Sequence, residues 1–66
     1  MSENPIEASA AELESLRTEI AELDALEEPT EEQAARFAAA LVEWDVKKPV
    51  HDELVARAEK IEEIKR

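Results

Sequence analysis

Residues 27–33 read Glu27-Glu28-Pro29-Thr30-Glu31-Glu32-Gln33. Pro29 opposes continuation of a preceding helix, because its ring removes a backbone N–H and clashes with the previous turn. Thr30 is a favoured N-cap, and Gln33 three residues later completes a capping box. The two glutamates after Thr30 lie where negative charge favours the helix dipole. The stretch therefore predicts two helices joined by a short turn, an arrangement in which the helices pack antiparallel.

The sequence before this turn predicts a flexible leader over residues 1–8 and a helix over about residues 9–26. Ser9 is a candidate N-cap because Glu12 follows three residues later, and Pro5 is an earlier plausible start. Apolar residues then recur at alternating steps of three and four, as in the a and d positions of a coiled coil. We expect this set to pack within the chain: Leu13, Leu16, Ile20 and Leu23.

The arm after the turn predicts a helix over about residues 31–48. Three large apolar side chains, at helical spacing, are expected to pack on the first helix: Phe37, Leu41 and Trp44. That spacing favours core anchors over an exposed hot spot for a partner. Glutamates four residues before a base, in Glu32–Arg36 and Glu43–Lys47, are in the favourable order for ion pairs along the helix.

Pro49 leaves two architectures open for the rest of the chain. The apolar phase changes at this residue, and a further helical pattern covers about residues 50–65. We favour an all-α, coiled-coil-like antiparallel hairpin whose long second helix is kinked near Pro49. The alternative is a three-helix bundle in which residues 50–66 fold back. Glycine is absent and strong helix formers dominate, which supports an all-helical domain in either case.

The two arms differ in length. At 1.5 Å per residue, the first helix would be about 27 Å long and the second arm about 53 Å. A short helix leaves part of a long one uncovered, and each bare apolar side chain forfeits roughly 1.5–3 kcal/mol. We therefore expect an interface with another copy or another partner at Val50, Leu54, Val55, Ala58, Ile61 and Ile64. A homo-oligomer is the prediction if the long arm is continuous.

Charge and composition exclude several classes of protein. The formal net charge is −10, and residues 1–45 contain 13 acids against two bases. Such a surface repels nucleic-acid phosphates and anionic membranes, so we expect no nucleic acid and no membrane as partners. The acidic, polar start, Met1-Ser2-Glu3-Asn4-Pro5, is unlike a secretory signal and predicts a cytoplasmic origin.

The sequence offers little chemistry. Cysteine is absent and His51 is the single histidine, so one chain cannot form a multi-histidine or thiolate metal site. A surface or half-buried role suits His51 better than a metal ligand or proton switch. The carboxylates Glu59, Glu62 and Glu63 lack the Glu-x-x-His partners of metal sites in helical bundles. We therefore expect no catalytic site, no metal site and no cofactor.

Two stretches carry a family resemblance. Thr30-Glu31-Glu32-Gln33-Ala34-Ala35-Arg36-Phe37 resembles the turn and helix start of the N-terminal scaffolding segment, or delta domain, of tailed-bacteriophage major capsid proteins. Arg57-Ala58-Glu59-Lys60-Ile61-Glu62-Glu63-Ile64 is similar to the end of the long helix in that segment. The similarity covers roughly residues 10–66, and Pro49 departs from the uninterrupted heptads of the family.

This resemblance implies a built-in scaffold that guides capsid assembly by helix–helix association and is removed on maturation. The implied partners are capsid subunits and a maturation protease. The implied location is the host cytoplasm, on the interior of the phage procapsid. The alternative that the residues leave open is a free-standing acidic helical binding module, such as an inhibitor that mimics DNA. That alternative predicts a monomeric three-helix fold.

Overall fold

A computed structural model of the chain describes residues 4–66 and consists there of two helices, α1 (Pro5–Asp24) and α2 (Glu31–Lys65). The all-α prediction is confirmed. Three side-chain contacts join the helices: Ser9 with His51, Glu12 with Lys47 and Glu19 with Arg36. The residue number rises along α1 as it falls along α2, so the two helices are antiparallel. The molecule measures 53 × 24 × 15 Å, so its longest dimension is that of α2 alone.

Helix α1 begins earlier than predicted. Asn4 is the N-cap, and its Oδ1 accepts a hydrogen bond from the backbone N–H of Ile6 at 2.9 Å. Pro5 occupies the first helical position, where its missing N–H costs nothing. The predicted flexible leader was therefore wrong for residues 5–8, and residues 1–3 lie outside the described part. Ser9 does not cap the helix, since its hydroxyl donates back to the Ile6 carbonyl at 3.0 Å.

The turn matches its sequence pattern. The hydroxyl of Thr30 accepts from the backbone N–H of Gln33 at 3.1 Å, and the Gln33 side chain accepts from the Thr30 N–H at 2.9 Å. The predicted capping box is thus confirmed. Helix α1 ends at Asp24, two residues before the predicted end, and the N–H of Ala25 closes its last turn on Ala21.

Helix α2 passes through Pro49 without a break. The favoured antiparallel hairpin with one long second helix is therefore confirmed, the division into helices over 31–48 and 50–65 is absent, and the three-helix alternative was wrong. The proline lies on the exposed side of α2, where it removes one hydrogen bond but does not disturb the contact with α1. Lys47 and His51 bind α1 on either side of it, and a Lys48–Asp52 ion pair spans it. These contacts hold both turns in one helix; the kink near Pro49 stays a prediction.

The core between the helices is small. Leu13 and Leu16 of α1 are buried, and they face Ala40, which is 0% exposed. Ala40 was not among the predicted core residues. The larger predicted side chains lie at the margins, half-buried in the case of Ile20, Leu23, Phe37 and Trp44 and exposed in the case of Leu41. A fully buried alanine lets the two backbones approach closely, which pushes bulky side chains to the edges of the contact.

The face of α2 that meets α1 keeps one heptad phase throughout. Its half-buried and buried positions alternate by steps of four and three: Gln33, Phe37, Ala40, Trp44, Lys47, His51, Leu54 and Ala58. The predicted change of apolar phase at Pro49 is a change of side: Val50, Ile61 and Ile64 are exposed, while the face that meets α1 continues through Leu54. Two positions of this face carry the polar residues Lys47 and His51, so the apolar pattern is interrupted although the helical face is continuous.

Candidate interaction surfaces

One edge of the hairpin is charged and links the two helices. The guanidinium of Arg36 forms a two-point contact with the carboxylate of Glu19, at 2.5 Å and 2.9 Å, and reaches Glu43 at 3.4 Å. Lys47 donates to Glu12 at 3.0 Å. The predicted pairs Glu32–Arg36 and Glu43–Lys47 along α2 were thus wrong, because both bases reach across to α1 instead. All of these groups are exposed or half-exposed, so the edge fixes alignment more than it adds stability.

The Arg36 contact acts on the titration of Glu19. The hydrogen bond from Arg36, aided by its charge, lowers the pKa of the Glu19 carboxyl, and desolvation opposes this only in part. The same pairing raises the pKa of Arg36. A lowered folded-state pKa means that the contact stabilises the hairpin above the unfolded-state pKa of Glu19. That contribution is lost as the pH falls through the folded-state pKa.

Replacing Arg36 with glutamine should raise the pKa of Glu19 toward the ordinary glutamate value, since the charged donor is removed. Carboxyl ¹³C NMR titration of Glu19 in both proteins measures the shift directly. Arg17→Gln is the matched control, because Arg17 pairs with Glu14 at 2.8 Å on the same helix and does not contact Glu19. An unchanged Glu19 titration in Arg36→Gln would contradict the pairing.

A second inter-helix contact joins Ser9 to His51. The Ser9 hydroxyl lies 2.5 Å from His51 Nδ1, and both residues are half-buried. The hydroxyl already donates to the Ile6 carbonyl. The hydroxyl thus lies within hydrogen-bond distance of both the Ile6 carbonyl of α1 and the His51 ring of α2. Of the two placements left open for His51, surface or half-buried, the structure has the half-buried one, and the His51 ring contacts α1.

The opposite edge of the hairpin is an open apolar groove. Ile20 and Ala21 of α1 form one wall, and Phe37, Leu41 and Trp44 of α2 form the other. Leu41 is 43% exposed, although it was predicted to be an intrachain packing residue. A two-helix hairpin has no third element to cover this edge, which explains why these large side chains remain partly accessible.

A longer apolar surface runs along the side of α2 that α1 does not touch. We call it the outer stripe. Each member is a large aliphatic residue, with Val46 63% and Ile64 72% exposed, and the full set is Val42, Val46, Val50, Ile61 and Ile64. Steps of three, four and eleven residues keep these positions on one side of a helix. The described part of the chain contains no residue that covers them.

The outer stripe only partly coincides with the interface expected from the sequence. Val50, Ile61 and Ile64 are exposed, whereas Leu54, Val55 and Ala58 are half-buried. The difference arises because α1 has four residues before Ser9 and so extends past His51, to roughly residue 55 of α2. Val42 and Val46 were missed, although the sequence shows Val42, Val46 and Val50 at successive steps of four residues.

No family model, curated protein or solved structure matches this chain.

The described residues place few reactive groups together. Among residues 4–66 there is no group of three or more histidine, aspartate or glutamate side chains arranged to hold a metal ion. Neither α1 nor α2 is long and apolar enough to cross a membrane. The described residues leave two apolar surfaces of the hairpin uncovered, the groove and the outer stripe.

Proposed function

We propose that this chain is a structural assembly module that self-associates through its helices. The observation that carries the proposal is the outer stripe, which extends over three turns of α2 beside the hairpin and onto the end that α1 does not reach. Clusters of exposed apolar residues that are rimmed by polar residues are typical of protein interfaces. The uninterrupted α2 favours this function over the acidic inhibitor, which was expected to have a three-helix fold.

The finer proposal is that the module is the scaffolding segment of a phage major capsid protein. It is supported by the resemblance of residues 30–37 and 57–64 to that segment. In this role the chain guides shell assembly in the host cytoplasm, lies inside the procapsid beside capsid subunits, and is removed by a maturation protease. The acidic surface is consistent with removal, since a negative lining opposes DNA packaging.

Self-association predicts a mass that rises with protein concentration. We expect sedimentation equilibrium to show reversible oligomers at micromolar to millimolar concentrations. Polar substitution of residues in the outer stripe should shift the chain to monomer. A monomer mass over the whole range would refute the assembly function.

The capsid role has its own test: subunits carrying this chain with Ile61→Asp should fail to form shells, and normal shells would refute that role.

A further inference from the structure

We infer that two copies of this chain pair through the outer stripe with their α2 helices antiparallel, so that the isoleucine end of each stripe packs on the alanine end of the other. This inference rests on the proposed self-association and adds its surface and direction. The occupant of the stripe is therefore a second copy of the same chain.

The first argument is the distribution of side-chain size along the stripe. Toward the turn, the same side of α2 continues from Val42 through the exposed alanines Ala39 and Ala35. At the opposite end it carries Ile61 and Ile64. Antiparallel pairing about Val50 sets Ile61, eleven residues after it, against Ala39, eleven residues before it. Parallel pairing would place isoleucine against isoleucine and alanine against alanine, which overfills one end and leaves a gap at the other.

The second argument is charge on the same side of α2 as the stripe. Arg57 lies seven residues after Val50 and Glu43 seven residues before it, so the same antiparallel register brings these opposite charges together. The Arg57 side chain is 65% exposed, and the Glu43 side chain, which lies 3.4 Å from Arg36, is 42% exposed. Parallel pairing would instead set Arg57 beside Arg57 and Glu43 beside Glu43. Like charges directly opposite one another are destabilising across an interface.

The third argument is the charge of the two ends of the molecule. The end that contains the turn, residues 17–36, has seven acidic and two basic side chains. The opposite end of α2, residues 57–66, has four basic and three acidic side chains. An antiparallel pair places the slightly positive end of one copy beside the strongly negative end of the other. A parallel pair would bring the two negative ends together, which costs free energy that salt only partly screens.

Disulfide cross-linking tests whether the two α2 helices pair antiparallel. The sequence contains no native cysteine, so only the introduced cysteines can form disulfides. Ala39→Cys and Ile61→Cys are made as separate variants on chains of different tag length and are mixed under mild oxidation. On one chain these positions are about 33 Å apart along α2, far beyond the reach of a disulfide within a single molecule. Glu22→Cys, on the exposed side of α1, is the control for random collision.

We expect the mixed disulfide between Ala39→Cys and Ile61→Cys to exceed either homodimeric disulfide by at least about tenfold. Predominant Ala39→Cys and Ile61→Cys homodimers would overturn the antiparallel direction. Cross-linking no faster than Glu22→Cys, with dimers still present by sedimentation equilibrium, would overturn the outer stripe as the contact but leave self-association intact. A monomer in sedimentation would overturn both proposals.

Discussion

Replacing Val46 with aspartate is expected to weaken self-association at least about 100-fold while α1 and α2 stay folded. Val46 is 63% exposed in the single chain, so the carboxylate remains hydrated there and disturbs no core contact. In a symmetric pair the change removes two buried valines, which is worth about 3 kcal/mol, or about a factor of 100 in Kd. Desolvation of two unpaired carboxylates adds to this loss. Sedimentation equilibrium measures the change in Kd.

The matched control for this substitution is Ala10→Asp. It adds the same charge to an exposed position of α1, away from the outer stripe. Circular dichroism at 222 nm should show the same helix content in both variants and in the unchanged protein. Equal weakening by the two substitutions would mean that net charge, and not the stripe, governs association.

Replacing Leu16 with alanine is expected to lower the free energy of unfolding by about 2–5 kcal/mol, the usual cost of removing a buried leucine side chain. Leu16 is 5% exposed and is one of only three buried residues in the described chain. A domain of this size has a total stability of only about 3–10 kcal/mol. The variant should therefore lose a large share of its stability, which urea titration followed by circular dichroism will detect as a lower unfolding midpoint.

Leu26→Ala provides the control for this experiment. It deletes the same atoms from a side chain that is 40% exposed in the turn, so the change in unfolding free energy should stay within about 1 kcal/mol. Both variants must be compared at one protein concentration, because association adds stability that depends on concentration. Equal unfolding midpoints for Leu16→Ala and Leu26→Ala would contradict the core described here.

Local signals were the most predictable part of the fold. The Thr30–Gln33 capping box depends on residues three apart, so the sequence states both partners. The start of α1 was also readable, because Asn4 followed by Pro5 is a strong N-cap and first-turn combination. The competing Ser9–Glu12 pattern was preferred, although Ser9 is used for contacts with Ile6 and His51.

Features that depend on the alignment of the two helices could not be read in advance. Arg36 has a glutamate four residues before it, but its actual partner is Glu19, seventeen residues away and on the other helix. Ala40 is fully buried in the hairpin, and nothing in the sequence distinguishes it from the neighbouring alanines beforehand. The outer stripe was partly predictable. The spacing of its residues is visible in the sequence, but only the position of α1 shows which side of α2 stays uncovered.

The polar residues Lys47 and His51 in the face that meets α1 have one further consequence. A hairpin with only leucine-like contacts could slip by a heptad at modest cost, since one apolar side chain would replace another. Here a seven-residue slide would strand the Lys47 ammonium away from Glu12 and the His51 imidazole away from Ser9. Each displaced group would lose its hydrogen bond while remaining partly dehydrated. These two side chains therefore fix the register between α1 and α2.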